Sequence, residues 1–264
     1  MNVAVTTPLR AGAAESAAAE AAAARHGLVY VPRRNRAAAE VLADSGAGAL
    51  LVLSPAAAVL VAGGLETRWS PGMGLLRARR LAKVRDGRRA GDASARDPFV
   101  EAAGLVPGDR VLDCTLGLGA DALVAAEAVG PGGEVVGLER SPGLAAWVAE
   151  GLLRLPYPAA RRVVVRAAEH GEALAQLPDR SFDVVVFDPM FRHARAAPGG
   201  FDAVRALADP SPLAPEALAR ARRVARRRVV VKDGAPGWDL ARLGLVPLPS
   251  ARGAHRYYAC IDAA

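Results

Sequence analysis

The chain has 264 residues, 52% of them hydrophobic and 5% aromatic, with 23% charged. That apolar fraction excludes a solvated, disordered chain, and the length suffices for one large domain with a small appendage. The net charge is +7, with two cysteines, Cys114 and Cys260, whose number and spacing exclude a disulfide scaffold or a zinc site and fit a reducing, cytoplasmic compartment.

Residues 1–65 read as a small α/β unit. No basic stretch followed by an apolar one opens the chain, so no signal peptide is expected. A helix near Ala13–His26 leads to a strand at Leu28–Val31 and a second helix at about Arg36–Ser45. Ala47 to Leu65 carries no charge and approaches membrane-spanning length, but Ser54-Pro55 divides it and Gly63-Gly64 closes it. Two short strands joined by a turn are predicted there, and no membrane partner.

Residues 66–96 read as a basic connector. Between Arg68 and Arg96 nine basic residues face two acidic ones, a surplus equal to the net charge of the whole chain. A positive block of this kind suits a polyanion. Arg77, Arg79, Arg80, Lys83, Arg85, Arg88 and Arg89 are the candidate RNA-phosphate ligands; a solvated linker is the alternative reading.

Residues 97–264 alternate strands and helices. Strands are predicted at Arg110–Asp113, Glu134–Glu139, Arg162–Arg166, Phe182–Asp188 and Arg228–Lys232, with a closing antiparallel pair at Leu245–Leu248 and His255–Ile261. Helices are predicted from near Asp121, from Ser141-Pro142 and over Pro215–Arg226. The second of these places Leu144, Trp147, Val148, Gly151 and Leu152 on one face. Such alternation implies a Rossmann-like α/β fold, a mostly parallel seven-stranded sheet covered on both faces, with ligands at the carboxyl ends of the strands. Six arginines between Arg220 and Arg228 read as charges favoured by a helix C-terminus. The histidines are too scattered for metal ligation, and no metal site is expected.

Three motifs sit at predicted strand ends. The first runs from Asp113 through Gly117 and Gly119 to Ala120 and Asp121. Its glycines permit a tight turn and close approach of a ligand. Asp113 would repel a pyrophosphate and suits a ligand bearing an ammonium or sulfonium, such as S-adenosylmethionine. The second is Glu139, whose carboxylate can accept from two ribose hydroxyls. The third is Asp188-Pro189-Met190-Phe191 after an apolar strand. This resembles the Asp/Asn-Pro-Pro-Tyr/Phe signature of amino-group methyltransferases.

Together with Leu138-Glu139-Arg140 and Val229–Lys232, these segments look like the bacterial small-subunit ribosomal RNA guanine-N2 methyltransferase family with the Asp-Pro-Met-Phe motif, and most like its Gram-positive branch. The similarity runs from about Met73 to Ile261. The resemblance implies a class I fold, S-adenosylmethionine as methyl donor and small-subunit ribosomal RNA as partner. It implies that Asp188 and the carbonyl after it accept the N–H bonds of the amine while Phe191 stacks on the base. Gly117, Gly119, Ala120 and Asp121 would border the cofactor, Glu139 and Arg140 hold its ribose side, and Ala168 and Glu169 its adenine side. The sequence departs from the family at Leu116, Ala120 and Glu169, and at Arg192-His193-Ala194-Arg195 after the motif. Methylation of another nucleic-acid or protein amine, a nicotinamide-dependent oxidoreductase and a non-catalytic RNA-binding module remain as alternatives.

Overall fold

The computed structural model describes residues 1–87, 96–189, 207, 211–249 and 255–264. Two sheets and the helices between them account for most of these residues.

The N-terminal sheet has the order β2-β1-β3-β4-β5, built from Val3–Thr6 (β1), Val29–Tyr30 (β2), Ala49–Leu53 (β3), Ala58–Ala62 (β4) and Leu65–Arg68 (β5). β1 is parallel to both its neighbours, and β3, β4 and β5 form an antiparallel meander. The uncharged Ala47–Leu65 stretch therefore forms two strands, as the Ser-Pro break predicts. Helices Ala13–Arg25 (α1) and Ala38–Ser45 (α2) connect the parallel strands. Strand alternation divides the side chains: Val3, Val5, Leu51 and Leu60 face the main core, while Ala4, Leu50 and Val61 pack with Val41 of α2.

Of the 66–96 segment, residues 66–87 and 96 lie within the described residues. It contains β5 and a helix, Met73–Arg85 (α3), which packs along Ala120–Val129 (α5). The approach is close because Gly74 lacks a side chain: a Cβ there would lie 2.7 Å from the Ala120 carbonyl oxygen. A short helix, Pro98–Ala103 (α4), follows, with Asp97 accepting from the Phe99 and Val100 amides at its start.

The second sheet has the order β11-β10-β9-β6-β7-β8. Its strands are Arg110–Asp113 (β6), Glu134–Glu139 (β7), Val163–Ala167 (β8), Phe182–Phe187 (β9), Ala225–Gly234 (β10) and Arg256–Asp262 (β11). All pairings are parallel except β10 with β11. Six strands form this sheet among the described residues, rather than the expected seven. Residues 245–248 are not a strand; among the described residues one backbone bond, from the Leu248 amide to the Tyr258 carbonyl, ties that segment to β11.

Helix Pro142–Arg154 (α6) lies between the two sheets and is buried nearly all round. Leu144, Trp147, Val148 and Leu152, the predicted face, are all buried. Each such side chain contributes about 1.5–3 kcal/mol when removed from water. The remaining faces are small: Trp69 lies against Gly151, where a Cβ would come 2.1 Å from the indole ring. Trp69 is thus a core residue, whereas Trp238 is exposed. One continuous apolar cluster joins Val5, Leu60 and Trp69 to Trp147, Val111 and Val184. The opposite face of the second sheet is covered by His170–Gln176 (α7), Pro215–Val224 (α8) and Trp238–Arg242 (α9), packed on residues such as Leu138, Phe187 and Val231. The arginines at the end of α8 and the start of β10 are structural here: Arg223 donates to the Leu174 and Leu177 carbonyls, Arg227 pairs with Asp109 and Arg228 donates to the Ala102 carbonyl.

Candidate active site

β6 lies at the centre of the second sheet, where the strand order runs outward in both directions. Crevices form at the carboxyl ends of strands at such a switch. A cleft opens there, lined by Cys114, Thr115 and Gly117 after β6, Leu138, Glu139 and Arg140 at the end of β7, His170 on α7, and Asp188 and Pro189 after β9. Ser211 and Leu213 complete its lining.

The turn between β6 and α5 shapes the floor. Gly117 and Gly119 have φ of +52° and +76°, the left-handed region that disfavours side chains. Above Gly117 a Cβ would meet nothing nearer than 3.9 Å, so the turn presents bare backbone to open space. Gly119 serves packing instead; a Cβ there would crowd Val148 of α6 at 3.2 Å. At the end of β7 the buried Glu139 carboxylate accepts from the Ser141 amide at 2.9 Å. Ala168 is tied to the same strand end by its amide, 3.0 Å from the Glu139 carbonyl. Glu169 caps α7, and its carboxyl lies below the ordinary value: burial opposes this, but the Gly171 and Glu172 amides and the neighbouring His170 outweigh it.

Asp113 is buried immediately behind the lining residues and accepts from the Thr115 amide at 3.0 Å. Burial pushes its carboxyl up to about 7, reinforced by Asp121 and Asp188 against the pull of the Thr115 amide and Lys232. A carboxyl so placed has much to gain from a cationic ligand.

Asp188 stands at the mouth of β9. Its amide donates to the Thr115 hydroxyl at 2.6 Å, which ties the two strand ends together. Its Oδ2 accepts from Lys232 Nζ, at the end of the apolar run in β10. Lys232 also donates to Asp121 Oδ2 at 2.6 Å. Asp121 Oδ1 in turn accepts from Arg77, whose remaining donors grip Asp97 at 2.7 and 2.8 Å. The result is a chain of alternating charges, Asp97–Arg77–Asp121–Lys232–Asp188, running from α3 to the cleft. Asp121 is held down to about 2: burial would raise it, but Lys232 and Arg77 together prevail. Asp188 is pushed up to about 6, by burial first and by Asp121, with Lys232 opposing. Lys232 itself is raised despite its burial, because Asp188 and Asp121 flank it.

The structure therefore brings Gly117, Glu139, Arg140, Asp188 and Pro189 to one cleft and places Asp113 behind it. Gly119, Ala120 and Asp121 face the packing against α6, α3 and the ion-pair chain. Phe191, with Met190, lies outside the described residues, as do Arg88 and Arg89. Arg77 needs correction as an RNA ligand: it is 17% exposed, and two buried carboxylates occupy its guanidinium. Arg85, though exposed, pairs with Glu127 and Asp86. Arg79, Arg80 and Lys83 lie on the outer face of α3, with no hydrogen bond or ion pair among the described residues. Lys232, Thr115 and His170 are the site residues that sequence reasoning left without a role.

Residues 43–242 match the family described as "Putative SAM-dependent methyltransferase". The chain is 43% identical over 144 residues to Bacillus subtilis YpiP, covering 52% of this chain and 56% of that one. It is also 43% identical over 134 residues to ribosomal RNA small subunit methyltransferase J of Hahella chejuensis, covering 48% and 49%. The chain thus spans about half the length of these curated relatives. Among solved structures, a SAM-dependent methyltransferase from Neisseria gonorrhoeae superposes with a TM-score of 0.62 at 21% identity, over 98% of this chain and 95% of that one, which shows the shared fold. By its matched residues, this chain belongs to the S-adenosylmethionine-dependent methyltransferase family, on the branch similar to ribosomal RNA small subunit methyltransferase J.

Proposed function

We propose that the protein transfers a methyl group from S-adenosylmethionine to the exocyclic amine of a guanine in small-subunit ribosomal RNA, in the cytoplasm. The observation that carries this reading is the convergence of Asp188-Pro189 with Glu139 and the bare Gly117 turn on a single cleft.

The chemistry of the donor set fits the cofactor. The backbone at Gly117 leaves room for a ligand, Glu139 offers a carboxylate to ribose hydroxyls, and Asp113 offers one to a cationic group. Arg140, Ala168 and Glu169 flank the position expected for the nucleoside. S-adenosylmethionine, when bound, supplies the electrophilic methyl.

The protein's own contribution is orientation. The lone pair of a guanine amine is delocalised into the ring. Asp188 and the Pro189 carbonyl, by accepting the two N–H bonds, draw electron density back onto nitrogen and aim the lone pair at the methyl. Fixing the amine in line with the methyl replaces an entropic cost of bimolecular encounter. The proton released from nitrogen passes to Asp188 or to water.

The expected RNA contacts are Arg79, Arg80 and Lys83, joined by Arg88 and Arg89. They position a polyanion without reading its sequence. Relatives named for ribosomal RNA methylation support RNA as the substrate class.

Two substitutions test the reading. Glu139→Ala removes a charged acceptor; such bonds contribute ~1.5–3 kcal/mol, so S-adenosylmethionine affinity falls roughly 10- to 100-fold by calorimetry. Asp188→Ala abolishes transfer of tritiated methyl to ribosomal RNA from a deletion strain, and Asp188→Asn retains part of it. Unchanged transfer by the folded Ala variant refutes the assignment, and tighter binding of NAD than of S-adenosylmethionine turns it toward an oxidoreductase.

A further inference from the structure

The carboxylate expected to orient the amine does not stand alone. Lys232 is 7% exposed and is shared between Asp188, 26% exposed, and Asp121, 6% exposed. A lysine ending a run of three buried valines in an interior strand is costly unless its charge is compensated. Here it is compensated twice. Asp121 is itself anchored by Arg77, which Asp97 grips through two of its nitrogens. The far end of the chain is thus fixed between α3, α4 and α5, and the near end meets the cleft.

We propose that Lys232 is a positioning residue for methyl transfer: held by Asp121, it donates to Oδ2 of Asp188 and leaves Oδ1, which has no partner among the described residues, as an ionised acceptor for the amine. This rests on the methyltransferase reading. Two constraints fix the carboxylate plane. Lys232 pulls one oxygen towards β10, and the Asp188 amide is pinned to the Thr115 hydroxyl. Without Lys232, Asp188 would face Asp121 and Asp113 in a buried setting and would take up a proton. A protonated carboxyl presents a donor where the amine also has donors.

The groups around Asp188 come from several elements. Lys232 on β10 and Arg256 on β11 favour its charge; Asp121 on α5 and Asp113 on β6 oppose it. Tyr258 on β11 is raised to about 12 by burial and stays a neutral phenol beside Lys232. His170 on α7 lines the same cleft.

These signs give an experiment that a purely structural role would not satisfy. The full chain is labelled with 13C at the aspartate carboxyl, and the Asp188 resonance is identified as the one lost in Asp188→Asn. The midpoint expected for the wild type is about 6, above the ordinary carboxylate value because of burial. In Lys232→Met the midpoint rises by roughly 1–3 pH units, because an opposite charge in contact has gone. In Asp121→Asn it falls, because a like charge has gone while Lys232 remains. Lys232→Arg keeps the midpoint near the wild-type value. The acid limb of the methyl-transfer rate follows the same order, with the Lys232→Met profile displaced to higher pH.

Midpoints that coincide in all variants, or that move in one direction in both, overturn the proposal. The titration needs no substrate. A wild type that transfers no methyl to RNA overturns the functional reading, while opposite midpoint shifts would still uphold the hold of Lys232 on Asp188. If Lys232→Met does not fold, Lys232→Gln decides: a midpoint that does not rise overturns the proposal.

Discussion

Helix α3 carries five basic residues on two faces, and the two faces respond differently to the same kind of substitution. Arg77 points inward and satisfies Asp97 and Asp121, each 6% exposed, through three hydrogen bonds. In Arg77→Ala both carboxylates stay buried. Asp97 keeps the α4 amides and Asp121 keeps Lys232, yet each loses its guanidinium. Removing one partner of a buried ion pair costs about 3–5 kcal/mol, because the other charge is left uncompensated. For a chain of this size that is a fall in melting temperature of roughly 6–20 °C. Arg79, Arg80 and Lys83 are exposed, and replacing all three with Ala changes stability by no more than about 0.5 kcal/mol per site. The triple variant acts on RNA instead: the slope of log affinity against log salt falls in magnitude by about 2 to 3. Urea unfolding and RNA titration at several salt concentrations, run on both variants, separate the two effects. Arg77→Ala that unfolds at the wild-type urea concentration, or a triple variant with an unchanged salt slope, refutes this division of the helix.

Two further predictions concern buried carboxylates. Glu150 on α6 is 2% exposed; burial would raise its carboxyl, but bonds from His26, Arg154 and Arg25 hold it at about 2. A group lowered by folding stabilises above its unfolded value and loses that contribution as pH falls through the folded one. Glu150→Gln therefore costs about 3 kcal/mol at pH 7, and the gap to wild type in urea unfolding narrows as pH drops from 5 towards 2; a gap independent of pH refutes the assignment. Asp113, at about 7, must ionise to meet a cationic ligand, so S-adenosylmethionine binding releases a proton. Its Kd tightens by up to about tenfold per pH unit up to pH 7 and is flat above, and a calorimetric profile without slope between pH 5.5 and 7 removes Asp113 from cofactor binding.

Much of the second sheet was legible because its strands are short apolar runs ending in functional residues. Arg110–Asp113 and Glu134–Glu139 form the strands expected, with the same bounds. The α6 face was legible from periodicity alone. What escaped was local structure that tertiary contact dictates. β1 has only four residues, all buried, and shows no alternation. α3 reads as a charged linker because so many of its positions are basic, yet Gly74 and Ala78 form a narrow buried seam against α5. Such a seam depends on the absence of side chains, and hydrophobic patterning does not register an absence. The seventh strand is expected from the apolar run Leu245–Leu248, which a proline interrupts; Pro247 lacks the amide a ladder requires.

The site was half legible for a related reason. Glu139 and Asp188 announce themselves as carboxylates at the ends of apolar strands, where sequence and chemistry coincide. The groups that set the state of Asp188 lie far away in the chain: Lys232 is 44 residues on, and Arg77 is 44 residues before the Asp121 it holds. Counting charges treated Arg77 as one more cation in a basic block, and only its burial distinguishes it from Arg79. For Lys232 a signal did exist. The chain has 32 arginines and only two lysines, and Lys232 directly follows Val229-Val230-Val231 in an interior strand. A lone ammonium at the carboxyl end of such a strand requires a carboxylate on a neighbouring strand or helix. In a parallel sheet the adjacent strand ends lie at the same edge, and β9, the partner of β10, ends immediately before Asp188. The pairing could thus be reasoned from the apolar run and the strand order together, though from neither alone.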